Sequence, residues 1–275
     1  FKYKDVEALP DGHLDLCLFN GAVRNSENLH LAELLRRKSK VLVAFGSCAH
    51  TGGIPALANF FTKDEIFERA YVETPSTVNP ERVFPTPRVQ VPEGEIEIPE
   101  FFNKVFSLDQ VVDVDYYVPG CPPNPERIWE VLSAVVSGAT LPPPGSVLGA
   151  SEKSLCDTCE RTKSDEKKIP EFRRIAHTIP DPEICFLDQG LLCLGPVTRD
   201  GCGQQCVAGA NMPCRGCYGL PSNIDDQGAK MIALVGSVLD AKSPAAIQEI
   251  VDSLPDPAGT FYRFSMSKSL LERRR

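Results

Sequence analysis

No apolar run approaches the roughly 20 residues that a membrane-spanning helix needs. The longest candidate, Met231 to Leu239, is far too short. No secretory signal pattern is visible, although the chain starts at Phe1 rather than Met, which leaves room for an upstream segment. No long basic run occurs before the extreme C-terminus and the formal net charge is −8, so nucleic-acid binding is not the default reading. No internal repeat of fixed period is present. The bulk composition, 42% hydrophobic and 24% charged over 275 residues, is that of a folded protein with one large or two modest domains, and argues against global disorder.

Cysteine is what the chain has in excess. Eleven are present, at positions 17, 48, 121, 156, 159, 185, 193, 202, 206, 214 and 217, and eight of them fall between Cys156 and Cys217. In a secreted protein such a set suggests disulfides. Here the number is odd and the N-terminal half reads as a parallel α/β domain, so metal binding is the better reading.

That N-terminal half is patterned. Leu14–Phe19 is a short apolar run ending in Asn20-Gly21 and reads as a buried strand. A helix follows, capped by Asn25 or Ser26, with Leu31, Leu34 and Leu35 as its apolar stripe and Arg36, Arg37 and Lys38 at its negative end. Val41–Phe45 is a second buried strand. Strand, helix and strand within about 35 residues make a βαβ unit and imply a parallel sheet. Thr62 and Glu65 form a capping box for a short helix ending near Tyr71. Residues 75–99 read as a proline-rich loop, functional or a contact surface, and the acidic stretch Glu93–Glu97 as its solvated part. Val111–Val118 is a third strand. After Cys121-Pro122-Pro123, Asn124 caps a helix with Pro125 at its first position, and Ile128, Leu132, Val135 and Val136 form its buried face.

Residues 138–155 read as a linker. Residues 156–222 are rich in Cys, Gly and Pro with little periodicity, and such a segment buries too little apolar surface to hold itself together. From 225 onward helical patterning returns, with Ser243-Pro244 as a helix start.

Two constellations carry chemistry. Cys48 and Cys121 each follow a strand. Ligand sites in an open α/β sheet lie beyond the carboxyl ends of the strands, so the two can converge. They supply half the thiolates of a cubane iron–sulfur cluster; two buried structural thiols are the alternative. The second constellation is Cys156-x2-Cys159, Cys185-x7-Cys193, Cys202-x3-Cys206 and Cys214-x2-Cys217, which matches two tetrathiolate sites. Four-cysteine zinc sites use the same paired spacing, so spacing leaves zinc as a competitor.

The strings AFGSCAHTGGIPALANF, VPGCPPNPERI, LCDTCER, CFLDQGLLCLGPVTRDGCGQQC and MPCRGCYG resemble the small subunit of nickel–iron hydrogenases, closest to the cytoplasmic group that includes methyl-viologen-reducing, heterodisulfide-reductase-associated enzymes. The resemblance spans roughly residues 12–220. It implies an α/β fold: a flavodoxin-like proximal-cluster domain (residues 1–145), then an irregular iron–sulfur cluster domain with C-terminal helices (residues 146–275). It further implies three iron–sulfur clusters, expected to be 4Fe–4S, with the nickel–iron centre only in a partner large subunit. Electrons would pass from that subunit through the clusters to a further redox subunit of ferredoxin, flavin or heterodisulfide-reductase type, in a cytoplasmic complex. Carried over by motif, Cys48 and Cys121 match proximal ligands, Cys202, Cys206, Cys214 and Cys217 the medial set, and Cys156, Cys159, Cys185 and Cys193 the distal set. The family's first strand ends in a Cys-x-x-Cys loop that nothing upstream of Cys17 matches, so that strand and loop are expected upstream of Phe1. Cys17, inside a strand, reads as a buried hydrophobe.

Blander readings go to the rest. His13 and His30 read as surface side chains and His177 as ordinary. His50 reads either as a hydrogen-bonding group near the cluster or the large subunit, or as a loop residue. Trp129 reads as packing and Arg273–Arg275 as a solvated tail. A proximal-cluster subunit of an NADH–quinone oxidoreductase-like complex is the related alternative, and residues 156–217 count against it. A zinc-stabilised structural protein is the alternative from another class.

Overall fold

The computed structural model describes residues 2–254 and 256–271; the Arg273–Arg275 tail lies outside them. The chain is a mixed α/β protein built on a parallel three-stranded sheet. A short helix α1 (Tyr3–Glu7) precedes β1 (Leu14–Asn20), β2 (Val23–Asn25) and α2 (Ser26–Lys38). The cap of α2 is Asn25, whose side chain accepts from the Asn28 N–H at 2.8 Å. The chain then enters β3 (Ser39–Phe45), which runs parallel to β1 with Leu16 opposite Val41 and Phe19 opposite Ala44. This is the expected βαβ unit. Ala32 and Leu34 of α2 are buried, and Ala32 packs with Phe19, Val23, Leu42 and Leu108 in one core.

After β3 come α3 (Ser47–Thr51), a 3-10 turn (Ile54–Phe60) and α4 (Lys63–Glu68), which starts on the expected Thr62–Glu65 capping box and continues as a π turn to Glu73. The segment read as loop contains an exposed hairpin, β4 (Arg88–Val91) and β5 (Gly94–Glu97), before β6 (Phe101–Phe106) pairs antiparallel with β2. Its side chains are solvated, as expected of Glu93–Glu97, but its backbone is paired.

The third parallel strand is shorter than the sequence suggests. Only β7 (Tyr116–Val118) pairs with β3. The reason is Asp115: its N–H still donates to the Leu42 carbonyl at 2.9 Å, but its carboxylate takes the Leu42 N–H at 2.7 Å and accepts from Arg36 at 2.6 Å, so a side chain ends the ladder there. Val111, Val112 and Val114 pack beneath as loop.

Helix α5 (Pro125–Val136) is capped by Asn124 with Pro125 at its first position, as expected, but no residue in it is fully buried. Val136 is 85% exposed and Trp129 73%, so the buried face and the packing role expected there are corrected. Apolar periodicity marks a stripe to be covered without saying that this chain covers it. The proline-rich stretch expected as a linker returns to the sheet: Tyr117 N–H donates to Ser146 O at 3.1 Å and Leu148 N–H to Tyr117 O at 2.7 Å.

The remainder holds short helices, α6 (Leu155–Thr158), α7 (Gln227–Val238), α8 (Pro244–Asp252) and α9 (Pro257–Phe261), among irregular loops. Its core of Phe186, Leu191, Leu194, Met231 and Met266 is continuous with Ala56 and Val105 from the first half.

Candidate iron–sulfur centres

Cys48 opens α3 directly beyond β3, and Cys121 stands beyond β7. Two hydrogen bonds prolong the sheet past its strands and hold these loops together: Gly46 N–H to Val118 O at 2.7 Å and Ser47 N–H to Gly120 O at 2.8 Å. Parallel strands therefore deliver both thiols to one edge, as the sequence suggests. Burial, then the neighbouring Cys121, raises the Cys48 thiol. A methyl group on Gly53 would sit 2.8 Å from the Cys48 sulfur, so only glycine leaves this face of the sulfur clear.

The same edge leads into a second site. Cys202, Cys206, Cys214 and Cys217 line one cavity of about 270 Å³, and Cys121 borders it. A backbone hydrogen bond from Cys121 reaches the Cys217 sulfur, and Ser47 Oγ donates to the Cys217 carbonyl at 2.6 Å. Burial pushes the Cys217 thiol up to about 12 and raises those of Cys202 and Cys214.

Cys156, Cys159, Cys185 and Cys193 line a third site. Its cavity is tighter, about 20 Å³. Burial, then mutual repulsion, pushes the Cys156 thiol up to about 12; burial likewise takes Cys193 to about 11. A methyl on Gly195 would meet the Cys156 sulfur at 3.2 Å and that of Cys193 at 3.6 Å. The Cys214 N–H donates to the Cys193 sulfur at 3.3 Å, so the second and third sites touch through one hydrogen bond.

Burial and mutual repulsion favour the neutral thiols, and a bound metal centre would supply the positive charge that lets them ligate as thiolates. Clustered thiols, close glycines and backbone N–H groups aimed at sulfur are the donor set an iron–sulfur cluster requires. Among the described residues no three His, Cys, Asp or Glu side chains converge on a single metal ion. The thiolates of a four-iron cluster stand further apart than those around one ion.

Three residues that spacing did not reveal complete the third site. Arg161 is buried, donates to the carbonyls of Asp181 (2.7 Å), Ile184 (2.9 Å) and Val207 (2.9 Å) and to Asn211 Oδ1 (2.6 Å), and lies 3.8 Å over the Phe186 ring. It binds together the loops that carry the cysteines. Lys163 Nζ donates to the carbonyls of Cys156 (2.7 Å) and Cys159 (3.0 Å). Lys167 Nζ sits 3.6 Å from the Cys185 sulfur and 2.6 Å from Asp188. Arg161 and Lys163 were signalled only by closeness to Cys159; Lys167 meets Cys185 through the fold alone.

The remaining candidates lie elsewhere. Cys17 is half-buried in β1 against the sheet core. His13, His30 and His177 are exposed. His50 packs against Tyr117 with ring centroids 4.8 Å apart and planes tilted by 38°, and burial, then the Lys268 charge, lowers it to about 3. His50 lies in helix α3 rather than in a loop, and among the described residues its imidazole makes no hydrogen bond.

Residues 3–135 match the sequence family described as the 20 Kd subunit of NADH ubiquinone oxidoreductase. The iron–sulfur subunit of an F420-non-reducing hydrogenase from Archaeoglobus profundus is 42% identical over 99% of this chain and 85% of that protein. The chain belongs to this family of F420-non-reducing hydrogenase subunits. A further member, from Methanothermobacter thermautotrophicus, is 36% identical over 94% of this chain and 80% of its own length. The delta subunit of the NAD-reducing hydrogenase HoxS of Cupriavidus necator is 32% identical over 52% of this chain and 65% of that one. As a member of this family, the chain is a non-catalytic subunit of an oxidoreductase, a hydrogenase. The oxidoreductase match ends at residue 135, before Cys156, whereas the F420-non-reducing hydrogenase relatives span both halves.

Proposed function

We propose that this chain is the electron-transferring small subunit of a nickel–iron hydrogenase, relaying electrons between the active site of a large subunit and a further redox subunit. One observation carries the reading: beside the thiol pair at the sheet edge lie two cavities, one lined by Cys202, Cys206, Cys214 and Cys217 with Cys121 at its border, the other by Cys156, Cys159, Cys185 and Cys193. On this reading residues 1–145 carry the proximal pair Cys48 and Cys121, and residues 146–275 carry the medial set Cys202, Cys206, Cys214 and Cys217 and the distal set Cys156, Cys159, Cys185 and Cys193. An iron–sulfur cluster supplies a one-electron redox centre when bound. The chain's residues ligate, desolvate and position. Gly53 and Gly195 keep space free at sulfur, backbone N–H groups of Cys121 and Cys214 point at neighbouring sulfurs, and Arg161 fixes the loops.

The large subunit is assigned to the face around Cys48 and Cys121. Ile54 and Phe61, in the segment that follows Cys48, are 49% and 57% exposed, and Trp129, in the helix that follows Cys121, is exposed as well. Exposed large apolar side chains near a site mark a contact surface. Among the described residues no helix is long and apolar enough to cross a membrane, and the reading includes a cytoplasmic complex.

Four cysteines at the medial cavity call for a complete 4Fe–4S cubane. Iron and acid-labile sulfide in the purified complex, with electron paramagnetic resonance of its oxidised form, test this. Cubane signals are expected, with no stoichiometric 3Fe–4S signal in the wild type and its appearance in Cys202→Ala. Zinc without acid-labile sulfide would refute the whole reading.

A further inference from the structure

A cleft of about 230 Å³ opens between residues 172–176, 191–192, 213–215 and 256–263. The molecule is acidic overall, with net charge −8, yet this cleft is lined by Arg173, Arg174, Arg215 and Arg263 against Asp256 alone. Asp256 is partly occupied, since its Oδ1 accepts from the Gly259 N–H at 3.0 Å. Arg173 pairs with Glu171 at 2.8 Å, and Arg263 uses Nε on the Gly259 carbonyl at 3.0 Å. The side chains of Arg174 and Arg215 make no hydrogen bond or ion pair among the described residues. Arg215 is half-buried, lines the cleft beside Arg263 and also borders the second thiol cavity. Guanidinium groups that keep N–H donors unused side by side form a site for oxyanions.

We propose that this cleft docks an acidic electron-carrier protein, its surface carboxylates seated against the four arginines. The inference rests on the electron-transfer reading above. Position supports it: Leu192, which lines the cleft, precedes Cys193 of the distal set, and Arg215, which also lines it, follows Cys214 of the medial set. Size supports it as well. The volume is below the roughly 300–1,000 Å³ of small-molecule sites but takes protruding carboxylate side chains. Complementary charge steers such a carrier to the surface and makes its binding sensitive to salt.

The test uses the purified hydrogenase complex and a plant-type 2Fe–2S ferredoxin as the acidic probe, with affinity measured by calorimetry over a range of ionic strength. Wild-type affinity is expected to fall as salt rises. Arg174→Glu with Arg263→Glu should weaken binding about 10-fold or more at low salt and flatten the salt dependence, and Arg174→Lys should retain most of the affinity. Arg174→Glu alone, at an exposed side chain with no bond to lose, keeps the test decisive if Arg263→Glu fails to fold. The proposal is overturned if wild-type binding is absent or salt-independent, or if the reversed variants bind as the wild type does. It is also overturned if inorganic phosphate alone saturates the cleft and leaves ferredoxin binding unchanged, or if the variants shift cluster potentials and not affinity, since the arginines would then only balance cluster charge. Iron and sulfide content of the wild-type complex is measured alongside; their absence would sink the electron-transfer reading itself, a separate outcome.

Discussion

Lys167 shows how much one side chain adds to a thiol site. Burial works against its ammonium charge, and Asp188 and Cys185 more than offset this. Asp188 is itself fixed by the Ser164 N–H at 3.0 Å and the Ser164 hydroxyl at 2.8 Å, so the cation is pinned beside the Cys185 sulfur. A positive charge there stabilises the reduced, more negative form of a bound cluster. Lys167→Met should therefore lower the reduction potential of the distal centre and leave the others in place. A charge-assisted hydrogen bond of about 1.4 kcal/mol corresponds to roughly 60 mV for one electron. A redox titration followed by electron paramagnetic resonance reads this, and Lys167→Arg should keep most of the wild-type value. An unchanged potential would show that the lysine serves only Asp188.

At the scale of elements, Asn59 stands in for a missing strand. Its Nδ2 donates to the Val105 carbonyl at 2.9 Å and its Oδ1 accepts from the Val105 N–H at 2.8 Å, tying the 3-10 turn after α3 to β6 in the interior. Asn59→Ala leaves both Val105 groups buried and unpaired, at a cost of about 2–4 kcal/mol. Thermal unfolding should show a clear drop in Tm; a shift within error would mean that water replaces the side chain. The capping residues Asn25, Thr62, Asn124 and Ser243 were legible because each works on backbone within a few residues of itself. The shortening of the third strand was not, because Asp115 acts on Leu42, far away in sequence. Nor was the exposure of α5, since the same apolar stripe serves an internal core or an outside partner.

For the whole molecule, the C-terminal segment clasps the N-terminal half beside the first thiol pair. Thr51 donates to the Phe264 carbonyl, Ser267 Oγ to Thr51 O at 2.7 Å, Gln110 Nε2 to Ser267 O at 2.7 Å, and Lys268 pairs with Asp109 at 2.6 Å. Burial alone would raise the Asp109 carboxyl. The Lys268 charge, with the Ser107 and Tyr117 hydroxyls, outweighs it and holds the group below the usual carboxylate range. A carboxyl depressed on folding stabilises above its unfolded pKa and loses that contribution as pH falls through the folded value. The clasp is thus fully effective at neutral pH and lost on acidification below about pH 4. Asp109→Asn should cost about 1–2 kcal/mol at pH 7, and the difference from wild type should vanish toward pH 2. Thermal unfolding against pH checks both; a constant difference would assign the effect to packing.

The sequence by itself determined the βαβ frame and the short cysteine pairs, because both are local: apolar periodicity, capping residues and pairs such as Cys156–Cys159 and Cys214–Cys217 act within a turn or two. Only the tertiary structure decided which pairs share a cavity, that the Cys214 amide reaches the Cys193 sulfur, and that Lys167 and Arg161 stand at the third thiol site. Those contacts join residues from separate irregular loops, where no period links position in the chain to position in space, so the shared core must bring them together.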